Sequence, residues 1–262
     1  MFHPIATVAA KECRDRIRNR WVLAVALVFT IFALVIAYFG GAQQGAVGFR
    51  SIEFTIASLV SLVIYLIPLI ALLLGFDAIV GERERGSLAL LLAMPITRFE
   101  LLMGKYLGLA VALTVATVAG FGLVALVLST QLNLNGLYHF IGFTLSSVLL
   151  GWVFLSLAVM LSVFAADRAR ASGLAIALWF FFVLVFDLLM LGLLVVTGGQ
   201  YSGELFPYLL LLNPADVFRV LNVFSLDDVR TLYGLASIVP PTLGNPWLMG
   251  CVMLAWIVAP LG

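Results

Sequence analysis

The sequence predicts an all-α, polytopic membrane protein with six transmembrane helices. Hydrophobic residues make up 64% of the 262-residue chain and charged residues only 10%, and the mean hydropathy is +1.19. A soluble domain contains about 45–50% apolar residues, and a soluble protein of this length needs far more charge to cover its surface. The apolar runs are nearly continuous and do not alternate, which excludes an outer-membrane β-barrel.

Each predicted span is an apolar stretch whose length is close to that of a membrane-crossing α-helix, which needs about 20 residues. The six stretches are residues 21–39, 54–80, 107–129, 140–166, 173–197 and 247–262. The first exceeds the about 7–15 residues of a signal-peptide core and follows a long basic segment, so we expect it to be retained. The last is short for a span, and we expect further sequence after Gly262. Residues 21–262 are therefore predicted to form one transmembrane domain.

Lys and Arg are distributed unevenly between the loops, which predicts the orientation. With the N-terminus inside, eleven lie on the cytoplasmic side: Lys11, Arg14, Arg16, Arg18, Arg20, Arg83, Arg85, Arg98, Lys105, Arg168 and Arg170. The outer side keeps three: Arg50, Arg219 and Arg230. Because basic loops stay on the cytoplasmic side, both termini are expected there, and residues 198–246 are expected outside.

Residues 1–20 predict an amphipathic helix that lies at the membrane interface. Apolar side chains recur at every fourth position, at Ile5, Ala9, Cys13 and Ile17, and charged side chains occupy the other sides. This pattern is typical of an interfacial helix. We interpret Cys13 as a small packed hydrophobe rather than a metal ligand, and its distance in sequence from Cys251 gives no disulfide framework.

A charged run after the second stretch predicts a short helix outside the membrane, within a loop over residues 81–106. Four alternating charges are too costly in hydrocarbon, so the chain must leave the membrane there. A short Leu-rich helix follows the charged run and ends at Pro95. Gly86 can form the turn between the charged run and this helix. We interpret this helix as a contact for a soluble partner. The residues assigned to that contact are Glu82, Arg83, Glu84, Arg85, Gly86, Ser87, Leu88, Leu90, Leu91 and Pro95.

The outer segment, residues 198–246, predicts two short helices. Asn213-Pro214 forms a turn that begins one of them, and a Ser cap with an acidic first turn at residues 225–233 indicates the other. Loops this long are often functional, although a cap over the helix ends is an equal alternative. The residues assigned to a periplasmic partner are Asn213, Pro214, Asp216, Arg219, Asp227 and Asp228.

Two carboxylates, Asp77 and Asp187, lie within apolar stretches and form a candidate intramembrane polar site. A charge at the bilayer centre costs about 2.5–3.5 kcal/mol on insertion scales. Asp77 is near the boundary, where water, Arg83 or Arg85 would satisfy it. Asp187 lies among Phe and Leu and needs a polar partner, a proton or a water-filled path. A single hydrogen bond between helices is the structural alternative for it.

No motif for catalysis, metal binding or nucleotide binding occurs in the sequence. Gly-rich phosphate loops, zinc-protease motifs and nucleophile elbows are missing, so ATP would have to be bound by another chain. Met249, Cys251 and Met253 are soft copper-type ligands, but on a helix the two methionines share a face that Cys251 does not. Core packing is therefore preferred, and we assign no catalytic residue, no metal, no bound cofactor and no nucleic-acid partner.

Two motifs resemble those of ABC-2-type permeases. The loop between spans two and three, from Asp77 through the charged run and Pro95 to Lys105, is similar to their coupling loop. The basic run from Ala10 to Trp21 is similar to their amphipathic elbow helix, and the resemblance extends over the whole chain. More narrowly, the Leu-Leu-Asn213-Pro214 segment resembles permeases of nitrous oxide reductase maturation systems, the NosY group.

This resemblance implies a bacterial inner-membrane protein that pairs with a second copy of itself amid membrane lipid. Each copy would dock its coupling helix on a cytoplasmic NosF-like ATPase, which holds ATP and Mg, and would work with a periplasmic NosD-like protein. The implied task is assembly of the copper centres of nitrous oxide reductase. The permease would move a sulfur or copper species, or transmit ATPase motion to the periplasmic partner.

Three alternatives remain open at this stage. The first is an ABC-2 permease that exports another substrate, such as a lipid, a drug or a polysaccharide. The second is an ATP-independent carrier, although Pro68 interrupts the second stretch and no matching break is predicted in the fifth. The third is an intramembrane aspartyl protease that uses Asp77 and Asp187, although the signatures of that class are missing.

Overall fold

The computed structural model describes residues 2–18, 21–39, 52–129, 134–196, 206–223 and 245–262. Within these residues every regular element is a helix, which confirms the all-α prediction. The α-helices are α1 Phe2–Arg18, α2 Trp21–Phe39, α3 Ile52–Gly75, α4 Val80–Glu84, α5 Ser87–Leu92, α6 Arg98–Val127, α7 Leu134–Phe164, α8 Arg168–Phe180, α9 Phe186–Val196, α10 Phe206–Leu209, α11 Pro214–Val223 and α12 Pro246–Val258. A π-helical turn, Phe181–Val185, joins α8 to α9, and 3-10 turns follow α10 at Leu210–Leu212 and α12 at Ala259–Leu261.

Four helical stretches are long and apolar enough to cross a membrane. They are Thr55–Glu84, Arg98–Val127, Gly136–Phe164 and Arg168–Val196, and they match the second to fifth predicted spans. The apolar helices Leu27–Phe39 and Pro246–Leu261 are shorter. Spans one and six therefore remain predictions.

α6 begins at Arg98, well before the predicted third span at residue 107, because a capping box starts it. The Thr97 hydroxyl accepts from the Glu100 N–H at 3.1 Å, and the Glu100 carboxylate accepts from the Thr97 N–H at 2.8 Å. These two bonds satisfy N–H groups that a helix start leaves unpaired. As a result Lys105, which the sequence placed in a loop, lies inside a helix and is only 4% exposed.

The second predicted span also differs, because α3 ends at Gly75 and a turn precedes α4. Asp77 therefore lies in that turn, near one end of the stretch Thr55–Glu84, and not inside α3. The Ser162 hydroxyl of α7 accepts from the backbone N–H groups of Ile79 at 2.9 Å and Val80 at 3.0 Å. These bonds hold the start of α4 against the end of α7.

The fifth span contains the irregularity that the sequence analysis did not predict. The π-helical turn Phe181–Val185 interrupts the α-helical hydrogen bonding, and such turns often occur at functional positions. Pro68, by contrast, lies inside α3, and the helix continues through it to Gly75. The expected interruption at Pro68 is therefore wrong, whereas the fifth span continues as one helical stretch, Arg168–Val196, through its π-helical turn.

The buried core lies between α3, α6 and α7, and small residues allow close helix packing there. A Cβ atom at Gly75 of α3 would lie 2.8 Å from the Ala158 Cβ of α7. A Cβ atom at Gly151 of α7 would lie 2.9 Å from a methyl group of Leu113 on α6. Membrane helices commonly meet through such small residues, since lipid supplies little hydrophobic drive for their association.

α11 forms the helix that Asn213-Pro214 predicted, with Asp216 in its first turn. It packs against α3, α7 and α12, and it buries Val217 and Phe218 completely. The second helix predicted in this segment lies outside the described residues, as do Asp227 and Asp228.

Candidate functional site: an exposed helical segment and its ionic base

The segment from Val80 to Thr97, here called the α4–α5 segment, forms two short helices joined at Gly86. Gly86 has φ +74°, and nothing lies within 4 Å of the position where a Cβ atom would stand. Glycine is therefore favoured by its left-handed backbone angle and not by lack of space. The turn separates the charged helix α4 from the Leu-rich helix α5.

α5 and the residues that follow it are exposed despite their apolar character. None of the α5 residues is buried. Leu90 is 71% exposed, Met94 54% and Phe99, in the first turn of α6, 61%. Leu88 and Leu91 are half-buried. Contiguous exposed apolar side chains beside charged ones usually mark a contact surface for another molecule.

Beneath α5 lies a network of ion pairs centred on Lys105, here called the ionic base. The Lys105 ammonium lies 3.1 Å from a Glu12 carboxylate oxygen on α1 and 3.2 Å from a Glu82 carboxylate oxygen on α4. The side chains of these three residues are 5%, 13% and 15% exposed, respectively. One lysine on α6 therefore joins α1 to α4.

The same network reaches Asp77 through α1. Arg16 lies 3.2 Å from Glu12 and 3.3 Å from Asp77, and Arg168 at the start of α8 lies 2.8 Å from Asp77. The sequence suggested that Asp77 would pair with Arg83 or Arg85, but its partners are Arg16 and Arg168. The ionic base thus connects α1, the α3–α4 turn, α4, α6 and α8.

Arg83 and Glu84 attach α4 to the α7–α8 turn. Arg83 donates to the carbonyl oxygens of Ala165 at 2.9 Å and Val163 at 3.0 Å, which are free of helical partners at the end of α7. A Glu84 carboxylate oxygen accepts from the Arg168 N–H at 2.8 Å. Arg85 is the loosest member, 3.6 Å from Glu82 with a 59% exposed side chain.

Ser87, the first residue of α5, also binds Glu82. Its hydroxyl donates to the Glu82 carboxylate and lies 3.3 Å from the Glu82 carbonyl oxygen. Of the residues that the sequence assigned to partner contact, Glu82, Arg83, Glu84 and Ser87 therefore bond within the chain. Leu90 and Pro95 remain exposed.

Two glycines of α6 hold α1 in place, and the sequence analysis missed them. A Cβ atom at Gly104 would lie 2.7 Å from the Val8 Cβ, and one at Gly108 would lie 2.6 Å from the Ala9 carbonyl oxygen. Only glycine allows the two backbones to approach this closely. The Gly-x-x-x-Gly spacing was the signal that could have identified this interface.

A second polar cluster surrounds Asp187. Arg219 of α11 lies 3.0 Å from Asp187 and 2.6 Å from Asp216, and the Asn213 amide donates to Asp216 at 2.9 Å. The same amide also donates at 2.9 Å to the carbonyl oxygen of Phe182, in the π-helical turn. Arg219 is therefore the polar partner that the sequence required for Asp187.

Asn213 and Asp216 are deeply buried in this cluster, at 0% and 2% exposed. Burial raises the pKa of Asp216 to about 6. The attraction of Arg219 opposes this shift, and the repulsion from Asp187 adds to it. Asp216 is thus held by Arg219 of its own helix and by Asn213, which directly precedes that helix.

The structure keeps the two predicted intramembrane carboxylates in separate clusters. Asp77 pairs with Arg16 and Arg168, and Asp187 pairs with Arg219, so they share no partner. In α12, Met249 and Met253 are buried while Cys251 is exposed, as the helical spacing predicted. Among the residues described, no group of three His, Cys, Asp or Glu side chains is placed to hold a metal.

Comparison with known proteins extends the resemblance over nearly the whole chain. The model of the family described as ABC-2 family transporter protein matches residues 6–262. The chain is 46% identical over 263 residues to the "Probable ABC transporter permease protein NosY" of Stutzerimonas stutzeri, covering 98% of this chain and 94% of the relative. It is 47% identical over 251 residues to the protein of the same name in Pseudomonas aeruginosa, covering 92% of this chain and 90% of the relative.

Proposed function

Because this chain belongs to the ABC-2 family of transporter proteins and is the permease subunit of an ABC transporter, we propose that its α4–α5 segment docks a separate ATPase. A permease of this kind implies an ATPase partner, and the sequence contains no nucleotide-binding motif of its own. ATP and Mg would be held by that partner on the cytoplasmic side.

One observation carries this proposal: α5 buries none of its residues, while its base is fixed by buried ion pairs. A free loop would bend when a partner pushed on it. A short helix attached to α1, α6 and α8 moves these elements with it. Exposed Leu90 and Met94 supply apolar contact area, and the surrounding charges set the register with the partner.

Motion would pass along two routes from the docked segment. The Glu82–Lys105 pair leads into α6, and the Glu84–Arg168 contact leads into α8. Discrete rigid-body shifts of this type are a common form of conformational coupling. α1 takes part in the movement because Glu12 and Arg16 belong to the ionic base.

A second copy of the chain would cover the fifth span. Only 22% of the most apolar window of Arg168–Val196 is buried, against 67% for Gly136–Phe164. Asp187 lies on this poorly covered span and pairs with Arg219 of α11, and the two side chains are 39% and 42% exposed. Charges facing lipid are costly, so a protein partner or a hydrated path between two copies would have to surround them.

At a finer level, we propose that the permease supports copper-centre assembly of nitrous oxide reductase. The support is the similarity to two proteins named NosY and the resemblance of the Asn213–Arg219 region to that group. The complex would contain a NosF-like ATPase and a periplasmic NosD-like protein in a bacterial inner membrane. It would carry a sulfur or copper species, or transmit motion to the periplasmic partner.

The test is affinity purification of the tagged chain from its native membrane in mild detergent, with the bound proteins identified by mass spectrometry. We expect an ABC ATPase and a periplasmic protein, and we expect a deletion strain to contain nitrous oxide reductase that lacks copper. Recovery of an ATPase, together with copper-loaded nitrous oxide reductase in the deletion strain, would support the permease role and contradict the maturation role. Recovery of the chain alone, from membranes rich in the ATPase, would contradict the docking proposal.

A further inference from the structure

A groove of about 530 Å³ lies where α1 packs against α6, outside the ionic base. Its lining is Ala9, Ala10, Cys13, Arg14, Ile17, Arg18 and Val111. The floor is apolar, because Cys13 packs near Ala112 and Ala116 of α6. The two arginines are the only charged residues of the lining.

Arg14 and Arg18 differ from the arginine between them. Arg16 forms ion pairs with Glu12 and Asp77. In the described parts of the chain, neither Arg14 nor Arg18 forms an ion pair with a carboxylate. Both residues are exposed and one helical turn apart, so their side chains lie on the same face of α1. Two unpaired guanidinium groups at this spacing can hold a single phosphate between them.

Val111, the residue of α6 that lines the groove, belongs to a row of exposed apolar residues on that helix. Leu107, Val111, Val115 and Val118 recur every three or four positions and are 42–48% exposed. α6 is one of the four helices that can cross a membrane, so this row faces acyl chains. Val111 belongs both to the row and to the groove, and the groove therefore opens towards the hydrocarbon.

We propose that this groove binds one anionic phospholipid, with its phosphate on Arg14 and Arg18 and an acyl chain along Cys13, Ile17 and Val111. The site combines unpaired basic side chains with an apolar floor at the end of the spans. A second copy of the chain fits less well, because a two-fold contact would bring the same arginines together. Lipid bound here presses α1 onto α6 and thereby supports Glu12 and Arg16 in the ionic base.

The first test is native mass spectrometry of the detergent-purified protein titrated with phosphatidylglycerol or phosphatidylcholine. We expect a single phosphatidylglycerol adduct at low lipid and none for phosphatidylcholine. Arg14→Gln and Arg18→Gln should each weaken the adduct about 5-fold, the scale of one basic residue near an anionic lipid. Lys11→Gln is the matched control, since it removes the same charge from α1 outside the groove, and it should weaken the adduct less than either arginine variant.

A second variant tests the apolar part while every charge remains. Ala10 is exposed and lines the groove, so Ala10→Phe fills the space for the acyl chain and should remove the adduct. Equal losses for Lys11→Gln and the arginine variants would overturn the proposal in favour of diffuse attraction. Unchanged binding in Ala10→Phe would overturn it as well.

Discussion

Lys105 and Glu82 are 23 residues apart in sequence, yet the lysine ammonium lies 3.2 Å from a Glu82 carboxylate oxygen. The pair joins α6 to α4 at a position that water hardly reaches, since the two side chains are 5% and 15% exposed. The exposed α5 helix therefore rests on the bundle through a buried ionic contact.

Replacement of Lys105 should destabilise the protein strongly. Lys105→Met leaves Arg16 as the cationic partner of Glu12 and the distant Arg85 as that of Glu82. Removal of one member of a buried pair costs about 3–5 kcal/mol. Arg85→Met is the matched control, because Arg85 is 59% exposed and surface pairs contribute about 0–1 kcal/mol. Thermal unfolding in detergent, followed by tryptophan fluorescence, measures both. Similar melting temperatures for the two variants would contradict a buried base.

Gly108→Ala should separate α1 from α6. Its Cβ atom would lie 2.6 Å from the Ala9 carbonyl oxygen, and backbone cannot move aside as a side chain can. Gly122→Ala, on the same helix with nothing within 4 Å, should be neutral or stabilising by up to about 1 kcal/mol, because alanine is the better helix former. Protease accessibility of α1 reports the difference. A Gly108→Ala protein as resistant as Gly122→Ala would contradict the packing.

Asp187→Asn should preserve function. The Asp187 side chain is 39% exposed, and Arg219 keeps its 2.6 Å contact with Asp216 in the variant. An ATP-driven lever does not need a titrating carboxylate at this position. A proton-coupled carrier or an aspartyl protease would lose activity with Asn, so a complete loss of the maturation role proposed above, with normal expression, would favour those alternatives.

The stability of the wild type relative to Asp216→Asn should increase as the pH falls from about 6 towards 4. Burial raises the pKa of Asp216 from 3.8 to about 6 in the folded protein. The folded state therefore binds a proton that the unfolded state still lacks in this range, and acidification stabilises the fold through this group. Melting temperatures of both proteins at pH 7 and pH 5 measure the effect. A difference that does not change with pH would show that Asp216 is not protonated in this range.

Local patterns allowed much of the fold to be predicted. The α2 bounds follow from one uninterrupted apolar run, and the start of α11 follows from Asn213-Pro214. The sequence predicts a turn at Gly86, and this residue has the only positive φ among the glycines described. Each of these signals lies within a few residues of the feature that it predicts.

The site was less predictable, because its contacts are distant in sequence. Asp77 pairs with residues 61 and 91 positions away, Arg16 and Arg168, while nearer arginines looked equally suitable. The burial of Lys105 depends on α1 approaching α6 at Gly104 and Gly108. Neither relationship is visible until the helices are packed together.

Photo-cross-linking from Leu90 in native membranes tests most directly whether the α4–α5 segment docks on the ATPase. A photoreactive amino acid replaces Leu90, which is 71% exposed on α5, and in a second protein it replaces Leu134, which is 87% exposed at the start of α7. α6 and α7 run in opposite directions through the bundle, so Leu134 lies at the other end from α5 and serves as the control. We predict a cross-link to the ATPase from position 90 and none from position 134. No ATPase cross-link from position 90, in membranes where the ATPase is abundant, would contradict the account.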